Sequence, residues 1–360
     1  MNILFALSQI RVTGAETYVA TLAKELNQLG HKIFIVSDTF SSPFEGKYFS
    51  LSLDKRTLFN KIKNIFKIKK IIKKEKIDIL HAHSRASSWV GYFATKLAKI
   101  PMITTVHGIQ RPHKSLKLFP CLGDYAIVIC ENVYEYIAKI FGFPKEKIKL
   151  IRNGIFLPNA TLSPKEPSAK RTASYISRTD GPKGKILKLV LREVLPDILK
   201  DFPEWEFLIV GGDENEVEIP FLVQRLNQNY PFEKVKWLKF QKELPKIFSQ
   251  SDLIIGTGRV AIESLVYGKP VLAMGESEIY GLLEENNFYL AQKSNWGDCG
   301  KRKNYQKEEL VEKFKKVFSE EKEKLLQAGW WCQKKIKEEY NIEKIASQIE
   351  NIYKELVTKK

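Results

Sequence analysis

Two cations on a glycine-containing loop form the first candidate site. Arg178 and Lys183 lie five residues apart, and Gly181 and Gly184 make the backbone around them flexible. A diphosphate is well matched by such a pair, because a guanidinium binds it in bidentate fashion and an ammonium adds a point charge. An isolated pair of loop cations is more often simply solvated, so the spacing alone gives a hypothesis.

The second candidate is residues 251–276, with the sequence SDLIIGTGRVAIESLVYGKPVLAMGE. Its pattern predicts a strand, a tight glycine turn, a buried helix and another strand. Gly256 and Gly258 allow the backbone to turn sharply and to approach a ligand closely. Glu263 lies within the apolar helix, where a carboxylate needs a cationic partner such as Arg259, a hydrogen-bonded ligand or an exposed helix end.

The same stretch also fits a dinucleotide-binding fingerprint. Gly256-x-Gly258-x-x-Ala261 is followed by Glu276 about 20 residues after the turn, as in proteins that hold a pyrophosphate at a helix N-terminus. This alternative predicts an NAD(P)-dependent oxidoreductase or a sugar-modifying enzyme. Its weakness is position, because the fingerprint usually opens a domain and strands precede it in this half of the chain.

Three histidines follow predicted strands in the N-terminal half. His81 and His83 are two residues apart on a strand, so they share a face, and His107 follows the strand at 102–106. The three could form a zinc site, or they could be hydrogen-bonded structural groups. The sequence has no Asp-x-Asp pair that would hold a metal beside a diphosphate. We therefore expect no metal and no other cofactor.

The elements that carry these residues predict an α/β protein with two similar halves. A strand at 2–7, a helix ending near Gly30 and a strand at 32–37 form a βαβ unit, which implies a parallel sheet. A polar, proline-containing segment separates this series from a second one. We predict a first domain at 1–157, a linker at 158–171, a second domain at 172–335 and a C-terminal helix at 336–360.

Composition indicates a soluble intracellular protein. The chain has 360 residues, too many for one ordinary core, and its four cysteines are scattered, as expected in a reducing cytoplasm. Its start, MNILFAL, is typical of a strand rather than a signal peptide. No apolar run approaches the roughly 20 residues that a membrane helix needs.

The net charge of +17 predicts an anionic partner. Nucleic acid is not expected, because the chain has no recognisable nucleic-acid-binding module. Residues 58–75 predict a basic amphipathic helix, with lysines on one face and Phe59, Ile62, Ile65, Phe66 and Ile72 on the other. This helix could simply pack on the protein by its apolar stripe, or it could lie on an anionic membrane surface.

The order of motifs resembles that of the retaining glycosyltransferases of family 4, which have the GT-B fold. The matching residues are Gly14-Ala15-Glu16, His81-Ala82-His83-Ser84, Thr105-Val106-His107-Gly108, Asn153-Gly154, Arg178-x4-Lys183-Gly184, Glu263-Ser264-Leu265 and Gly268-Lys269-Pro270-Val271. Three positions depart from the family pattern: Thr13 replaces a glycine, Phe156 an aspartate, and Ile255 a glutamate near the donor sugar.

The resemblance implies two Rossmann-like α/β domains facing across a cleft, the first binding the acceptor and the second the nucleotide sugar. It also implies a C-terminal helix that packs back on the first domain, and no metal. The implied roles are contact with the reacting sugar for His107, diphosphate binding for Arg178, Lys183 and Gly14, nucleotide and ribose binding for Glu263, Gly256, Gly258 and Arg259, and acceptor binding for Glu16, His81 and His83.

The implied activity is transfer of a sugar, with retention of configuration, from a nucleotide diphosphate to a glycan or lipid-linked acceptor. Such enzymes build cell-envelope polysaccharides, lipopolysaccharides and glycolipids. We therefore expect a cytoplasmic protein that is peripheral at the inner face of the membrane. The nucleotide base, the sugar, the acceptor and the linkage stay open.

Overall fold

The computed structural model describes residues 1–9, 14–55, 57–109, 119, 121–158, 162 and 170–359. The chain divides into two compact units, Met1–Phe156 with Tyr340–Lys360, and Leu157–Glu339. Each unit is built on one largely parallel β-sheet covered by helices, which confirms the predicted α/β class.

The first unit has a parallel sheet whose strand order is β3-β2-β1-β4-β5-β6-β7. Its strands are Asn2–Ala6 (β1), Lys32–Ser37 (β2), Lys47–Ser50 (β3), Ile79–Ala82 (β4), Met102–Val106 (β5), Tyr125–Val128 (β6) and Ile148–Leu150 (β7). The order reverses between β1 and β4, which are paired neighbours. Ligands of open α/β sheets bind beyond the carboxyl ends of the strands at such a reversal.

Alternate residues of β1 face the two cores of this unit. Ile3 and Phe5 pack in one cluster and Leu4 and Ala6 in the other, as the two-residue period of a strand requires. The covering helices are Gly14–Gln28 (α1), Leu58–Lys74 (α2), Arg85–Ala98 (α3) and Glu131–Ile140 (α4), followed by a 3₁₀ turn at Lys145–Lys147.

The second unit has a six-stranded sheet in the order β10-β9-β8-β11-β12-β13. Its strands are Arg171–Ile176 (β8), Trp205–Val210 (β9), Val235–Leu238 (β10), Leu253–Gly256 (β11), Val271–Met274 (β12) and Ile279–Leu282 (β13). Only the pairing of β12 with β13 is antiparallel among these described strands. The order reverses between β8 and β11, so these two strands define the switch point of this sheet.

Helices enclose an aromatic-rich core in the second unit. They are Gly181–Leu189 (α5), Leu195–Asp201 (α6), Glu218–Asn227 (α7), Leu244–Gln250 (α8), Arg259–Leu265 (α9), Phe288–Lys293 (α10), Lys307–Phe318 (α11) and Lys322–Glu339 (α12). A π-helical turn, Val190–Val194, joins α5 to α6, because Pro196 has no N–H to donate to the preceding turn. Trp205 and Phe207 pack on Phe318 at the centre of the core.

The last helix, Ile342–Thr358 (α13), belongs to the first unit. Ile345, Ile349 and Tyr353 are buried in the same cluster as β1 and α1, and the Asn341 side chain caps the helix by accepting from the Glu343 amide. The division falls between residues 339 and 340, whereas the sequence placed it at 335. The charged residues from 334 onward continue α12, and the stop comes only at Tyr340. Most of the predicted linker, 158–171, lies outside the described residues.

Candidate functional site

The second unit brings its predicted donor-binding residues to one edge of its sheet. Arg178 follows β8 directly, and Lys183 lies in the first turn of α5. Gly258 follows β11 and begins α9. Because β8 and β11 are neighbouring parallel strands at the switch point, these loops meet at the edge where nucleotide ligands bind in this type of sheet.

Lys183 is paired with an aspartate that the sequence analysis missed. Its Nζ lies 2.7 Å from Oδ2 of Asp298, and both side chains are 19% exposed. The other oxygen, Oδ1, is buried and has no hydrogen-bond partner in the part of the chain that the structure describes. The two residues are 115 positions apart in the sequence, so a local sequence motif could not have predicted the contact. Lys183 is thus held by a carboxylate at this edge of the sheet, and its role in diphosphate binding stays a prediction.

Two glycines of this edge are required by close backbone contacts. Gly258 has φ +55° and ψ −125°, and a Cβ there would lie 2.9 Å from Asp298 Oδ2. A Cβ on Gly184 would lie 1.8 Å from the carbonyl oxygen of Thr179. The sequence analysis linked Gly258 to ligand approach and Gly184 to loop flexibility, but close contacts within the fold already require a glycine at both positions.

Arg178 is held only loosely. Its Nη2 lies 3.8 Å from Glu276 Oε1, and its side chain is 62% exposed, so the ion pair contributes at most about 1 kcal/mol. The other oxygen of Glu276 accepts from Arg302 Nε at 3.0 Å. Arg178 can therefore turn to a bound anion at small cost. Glu276 is the carboxylate that the dinucleotide fingerprint would assign to ribose binding. In this structure its two oxygens are paired with Arg178 and Arg302.

Glu263 has a cationic partner, which was one of the three explanations that the sequence analysis gave for a carboxylate in this helix. Arg259 Nε lies 2.5 Å from Glu263 Oε1, one turn apart on α9. Both side chains are largely but not completely buried. The pair explains how an apolar helix tolerates a carboxylate, and Arg259 fixes the orientation of Glu263. The ribose-binding role of Glu263 stays a prediction.

The first unit gathers its predicted residues at the corresponding edge of its own sheet. The backbone N–H of His83 donates to Ala6 O at 2.8 Å, and that of Ser8 donates to Ser84 Oγ at 2.9 Å. Ser84 also caps α3 through a capping box with Ser87. The ends of β1 and β4 are thereby fastened together beside the end of β5, which carries His107.

His81, His83 and His107 form a packed series that we call the histidine row. The ring centroids of His81 and His83 are 4.1 Å apart, and those of His83 and His107 are 5.5 Å apart. His83 Nδ1 lies 3.2 Å from His107 Nε2. Phe5 packs against the middle ring and Tyr18 against His107. Sequence spacing predicted the shared position of the row but not its stacking.

The buried members of the row are neutral. Burial holds the pKa of His81 and of His83 well below the usual range, and neighbouring histidines lower both further. His81 Nδ1 lies 2.6 Å from Tyr353 Oη and its Nε2 lies 2.7 Å from Thr105 Oγ1. Both ring nitrogens of His81 are therefore engaged. Among the described residues no group of three or more His, Cys, Asp or Glu side chains is arranged to hold a metal ion.

Glu16 and His81, for which the sequence analysis predicted acceptor binding, are completely buried and make hydrogen bonds within the protein. Glu16 Oε1 accepts from the Ser41 and Ser42 amides at 2.7 Å, and Oε2 accepts from the Gln9 side chain. The carboxylate thus holds the loop after β2 in place. Gly14 begins α1, and the preceding residues 10–13 of its motif lie outside the described part of the chain.

Helix α2 has two apolar surfaces rather than the single one predicted. Ile65, Ile68 and Ile72 are buried in the core, which removes Ile65 and Ile72 from the expected membrane-facing stripe. A separate apolar edge is exposed, with Phe59 at 75% and Phe66 at 58% exposure, flanked by Leu58 and Ile62. One side of the helix therefore packs on the protein, as the first interpretation predicts, and another side offers aromatic residues to solvent. Contact with a membrane surface stays a prediction. Within the described residues, no helix combines the length and apolarity that membrane crossing requires.

Two family models match consecutive parts of the chain. The model for Glycosyltransferase Family 4 matches residues 12–157, and the model for Glycosyl transferases group 1 matches residues 170–298. The UDP-Gal:alpha-D-GlcNAc-diphosphoundecaprenol alpha-1,3-galactosyltransferase of Escherichia coli is 26% identical over 252 residues, which cover 63% of this chain and 62% of that protein. The chain spans about three fifths of the length of the curated relatives it matches.

Solved structures resemble the chain over almost its whole length. A glycosyltransferase from Rickettsia africae has a TM-score of 0.76 and 23% identity, covering 99% of this chain and 98% of that one. Anabaena HepE in complex with UDP and glucose has a TM-score of 0.73 and 18% identity, covering 99% and 100%. The fold is that of the GT-B class.

The match of both halves decides the family. The chain belongs to the GT-B glycosyltransferases of the family 4, group 1 type, and it is related to transferases that act on lipid-linked sugars. The alternative of an NAD(P)-dependent oxidoreductase is therefore set aside.

Proposed function

We propose that the protein transfers a sugar from a nucleotide diphosphate to a glycan or lipid-linked acceptor with retention of anomeric configuration, in cell-envelope polysaccharide or glycolipid synthesis. The observation that carries the proposal is a pair of cations at the switch point of the second unit, Arg178 on the loop after β8 and Lys183 in the first turn of α5. The related Escherichia coli enzyme, by its name, uses UDP-galactose and a diphosphate-linked lipid, which supports both substrate classes.

Each part of the donor substrate has its own binding residues in this proposal. Arg178 and Lys183 bind the diphosphate, and Glu263, oriented by Arg259, accepts from the ribose hydroxyls. His107, at the end of β5, contacts the reacting sugar. The cations stabilise the charge that develops on the leaving phosphate, which is where electrostatic catalysis acts.

Bond making and breaking then occur on one face of the sugar. The acceptor oxygen bonds to the anomeric carbon on the side from which the phosphate departs. The bond from that carbon to the phosphate oxygen breaks, and the leaving phosphate takes the acceptor proton. This step therefore needs no protein side chain to act as the base, because the phosphate accepts the proton.

Product analysis tests this function. The protein is incubated with UDP-galactose, UDP-glucose or GDP-mannose and a GlcNAc-diphosphate-lipid, and the product is examined by mass spectrometry and by its anomeric NMR coupling. We expect an α-linked product from an α-linked donor. A β-linked product would show inversion, and the absence of transfer from every donor would overturn the proposed substrates.

We also propose that transfer needs no metal. The diphosphate already has two protein cations, Arg178 and Lys183, and His81 has both nitrogens engaged. Excess EDTA should therefore leave the initial rate of transfer within about twofold of the untreated enzyme, a difference under 0.5 kcal/mol. Loss of activity that a divalent cation restores would overturn this prediction, and the metal would then need ligands that the described residues do not assemble.

A second proposal concerns the place of action, which we take to be the inner membrane surface. The exposed edge of α2 carries Phe59, Ile62 and Phe66, and exposed lysines line the same helix. An interfacial helix combines such an apolar edge with cations that are each worth about 1 kcal/mol near anionic lipid. Docking here would bring lipid-linked acceptors to the first unit.

Liposome flotation tests the membrane proposal. Replacing Lys63, Lys67, Lys70 and Lys74 by glutamine should release the protein from vesicles containing anionic phosphatidylglycerol, and raising the salt from low to physiological strength should weaken wild-type binding. The matched control replaces Lys316, Lys322, Lys334 and Lys337, exposed lysines of the second unit, and removes the same charge. Equal release by both variants, or equal flotation of wild type with neutral vesicles, would leave α2 as a surface helix only.

A further inference from the structure

A hydrogen bond joins the last helix of the chain to the histidine row. Tyr353 of α13 is completely buried, and its Oη lies 2.6 Å from His81 Nδ1. The rings of the two residues meet edge to face, with centroids 5.8 Å apart. The residues are 272 positions apart, so the row is built from the beginning and the end of the chain.

The two hydroxyl groups on His81 determine which ring nitrogen carries the proton. His81 is neutral, so it has one donor and one acceptor nitrogen. A phenol is a stronger acid than an aliphatic alcohol, which makes Tyr353 a better donor than Thr105. Tyr353 therefore donates to Nδ1, and the proton on Nε2 is donated to Thr105 Oγ1 at 2.7 Å. Loss of the tyrosine hydroxyl would leave a buried nitrogen without its donor, which is costly.

The orientation of His81 passes directly to the other two rings. His83 packs on His81 with only 4.1 Å between centroids, and its Nδ1 is 3.2 Å from His107 Nε2. The Nε2 of His83 is buried without a hydrogen-bond partner among the described residues, so packing against His81 is a main restraint on that ring. A turn of the first ring would therefore displace the second and then His107.

We propose that Tyr353 is a positioning residue for glycosyl transfer: its O–H fixes the tautomer and ring plane of His81, which supports His83 and holds His107 toward the reacting sugar. The inference rests on the proposed function for the role of His107. It assigns to α13 a part in the site of the first unit, beyond covering that unit's core.

Tyr353→Phe tests the proposal, because it removes one oxygen and keeps the buried ring. Its matched control is Tyr125→Phe. Tyr125 donates to Glu355, also on α13, at 2.9 Å, so the control removes a tyrosine hydroxyl that anchors the same helix away from the row. Tyr353→Phe should lower kcat about 2- to 10-fold and change the donor KM less than kcat, because the diphosphate contacts of Arg178 and Lys183 belong to the other unit. Tyr125→Phe should leave kcat unchanged. Equal losses in both variants would mean that the hydroxyls only anchor the helix, and would overturn the proposal.

Nitrogen NMR of the imidazole rings gives a readout that does not depend on activity. The chain has five histidines, so the spectrum of histidine-labelled protein is sparse. Wild type should show His81 as the Nε2–H tautomer, and Tyr353→Phe should shift its Nδ1 signal or mix the two tautomers. An unchanged His81 spectrum would overturn the positioning role even if transfer is confirmed. If the His81 spectrum changes but the protein transfers no sugar, the proposed function is wrong. The effect of the Tyr353 hydroxyl on the His81 ring would still be established.

Discussion

Replacing Arg178 by alanine should lower kcat/KM for the nucleotide sugar about 10- to 150-fold, because a charge-assisted interaction worth about 1.5–3 kcal/mol is lost. The free energy of unfolding should hardly change. The side chain is 62% exposed, and its ion pair with Glu276 is 3.8 Å long. Initial rates at subsaturating donor and a thermal melt measure the two quantities separately.

Arg302→Ala is the control for this experiment. Arg302 Nε donates to the same carboxylate, Glu276, at 3.0 Å and has similar exposure, but it lies outside the loop after β8. Its loss removes one positive charge from the same cluster. If the two variants lose equal activity, the effect is one of general charge, whereas full activity in Arg178→Ala would remove that residue from the donor site.

Gly184→Ala should damage both stability and donor binding. The new Cβ would lie 1.8 Å from the Thr179 carbonyl oxygen and 2.3 Å from its carbon, so the first turn of α5 must move. Overpacking of this kind costs about 1–3 kcal/mol or more of the free energy of unfolding. Because Lys183 is in the same turn, we expect UDP to raise the melting temperature of wild type but not of this variant.

Gly181→Ala is the matched control, three residues earlier in the same turn. Gly181 has φ +60°, but a Cβ there meets nothing within 4 Å, so the change adds backbone strain of about 1–2 kcal/mol without a collision. A Gly184→Ala protein that melts no lower than Gly181→Ala would mean that the turn relaxes freely. The close approach of Gly184 to Thr179 would then contribute nothing to the loss of stability in Gly184→Ala.

Local sequence patterns predicted the elements of this fold and the loops that carry the site. The apolar run of β11, with Gly256 at its end and Gly258 after it, correctly indicated a strand and a tight turn. Parallel pairing then placed the loops after β8 and β11 at one edge. The motif order was specific enough to give the family, which the matches to both halves confirm.

Contacts between distant residues could not be predicted in this way. The pairing of Lys183 with Asp298 and the bond of His81 to Tyr353 join residues more than 100 positions apart. Helical periodicity showed that α2 has apolar residues, but it could not show that Ile65 and Ile72 are covered while Phe59 is exposed. Glu16 matched a motif, yet its carboxylate is occupied by backbone amides from the loop after β2.

The return of the chain to its first unit has a consequence for biosynthesis. During synthesis, residues 1–156 emerge from the ribosome long before α13 does. The second unit, 157–339, is continuous in sequence and emerges between them. The surface of α1 that later receives Ile345, Ile349 and Tyr353 stays uncovered during that interval. The unit that emerges first is thus the last to be completed, and until then its nascent form exposes apolar surface that favours aggregation.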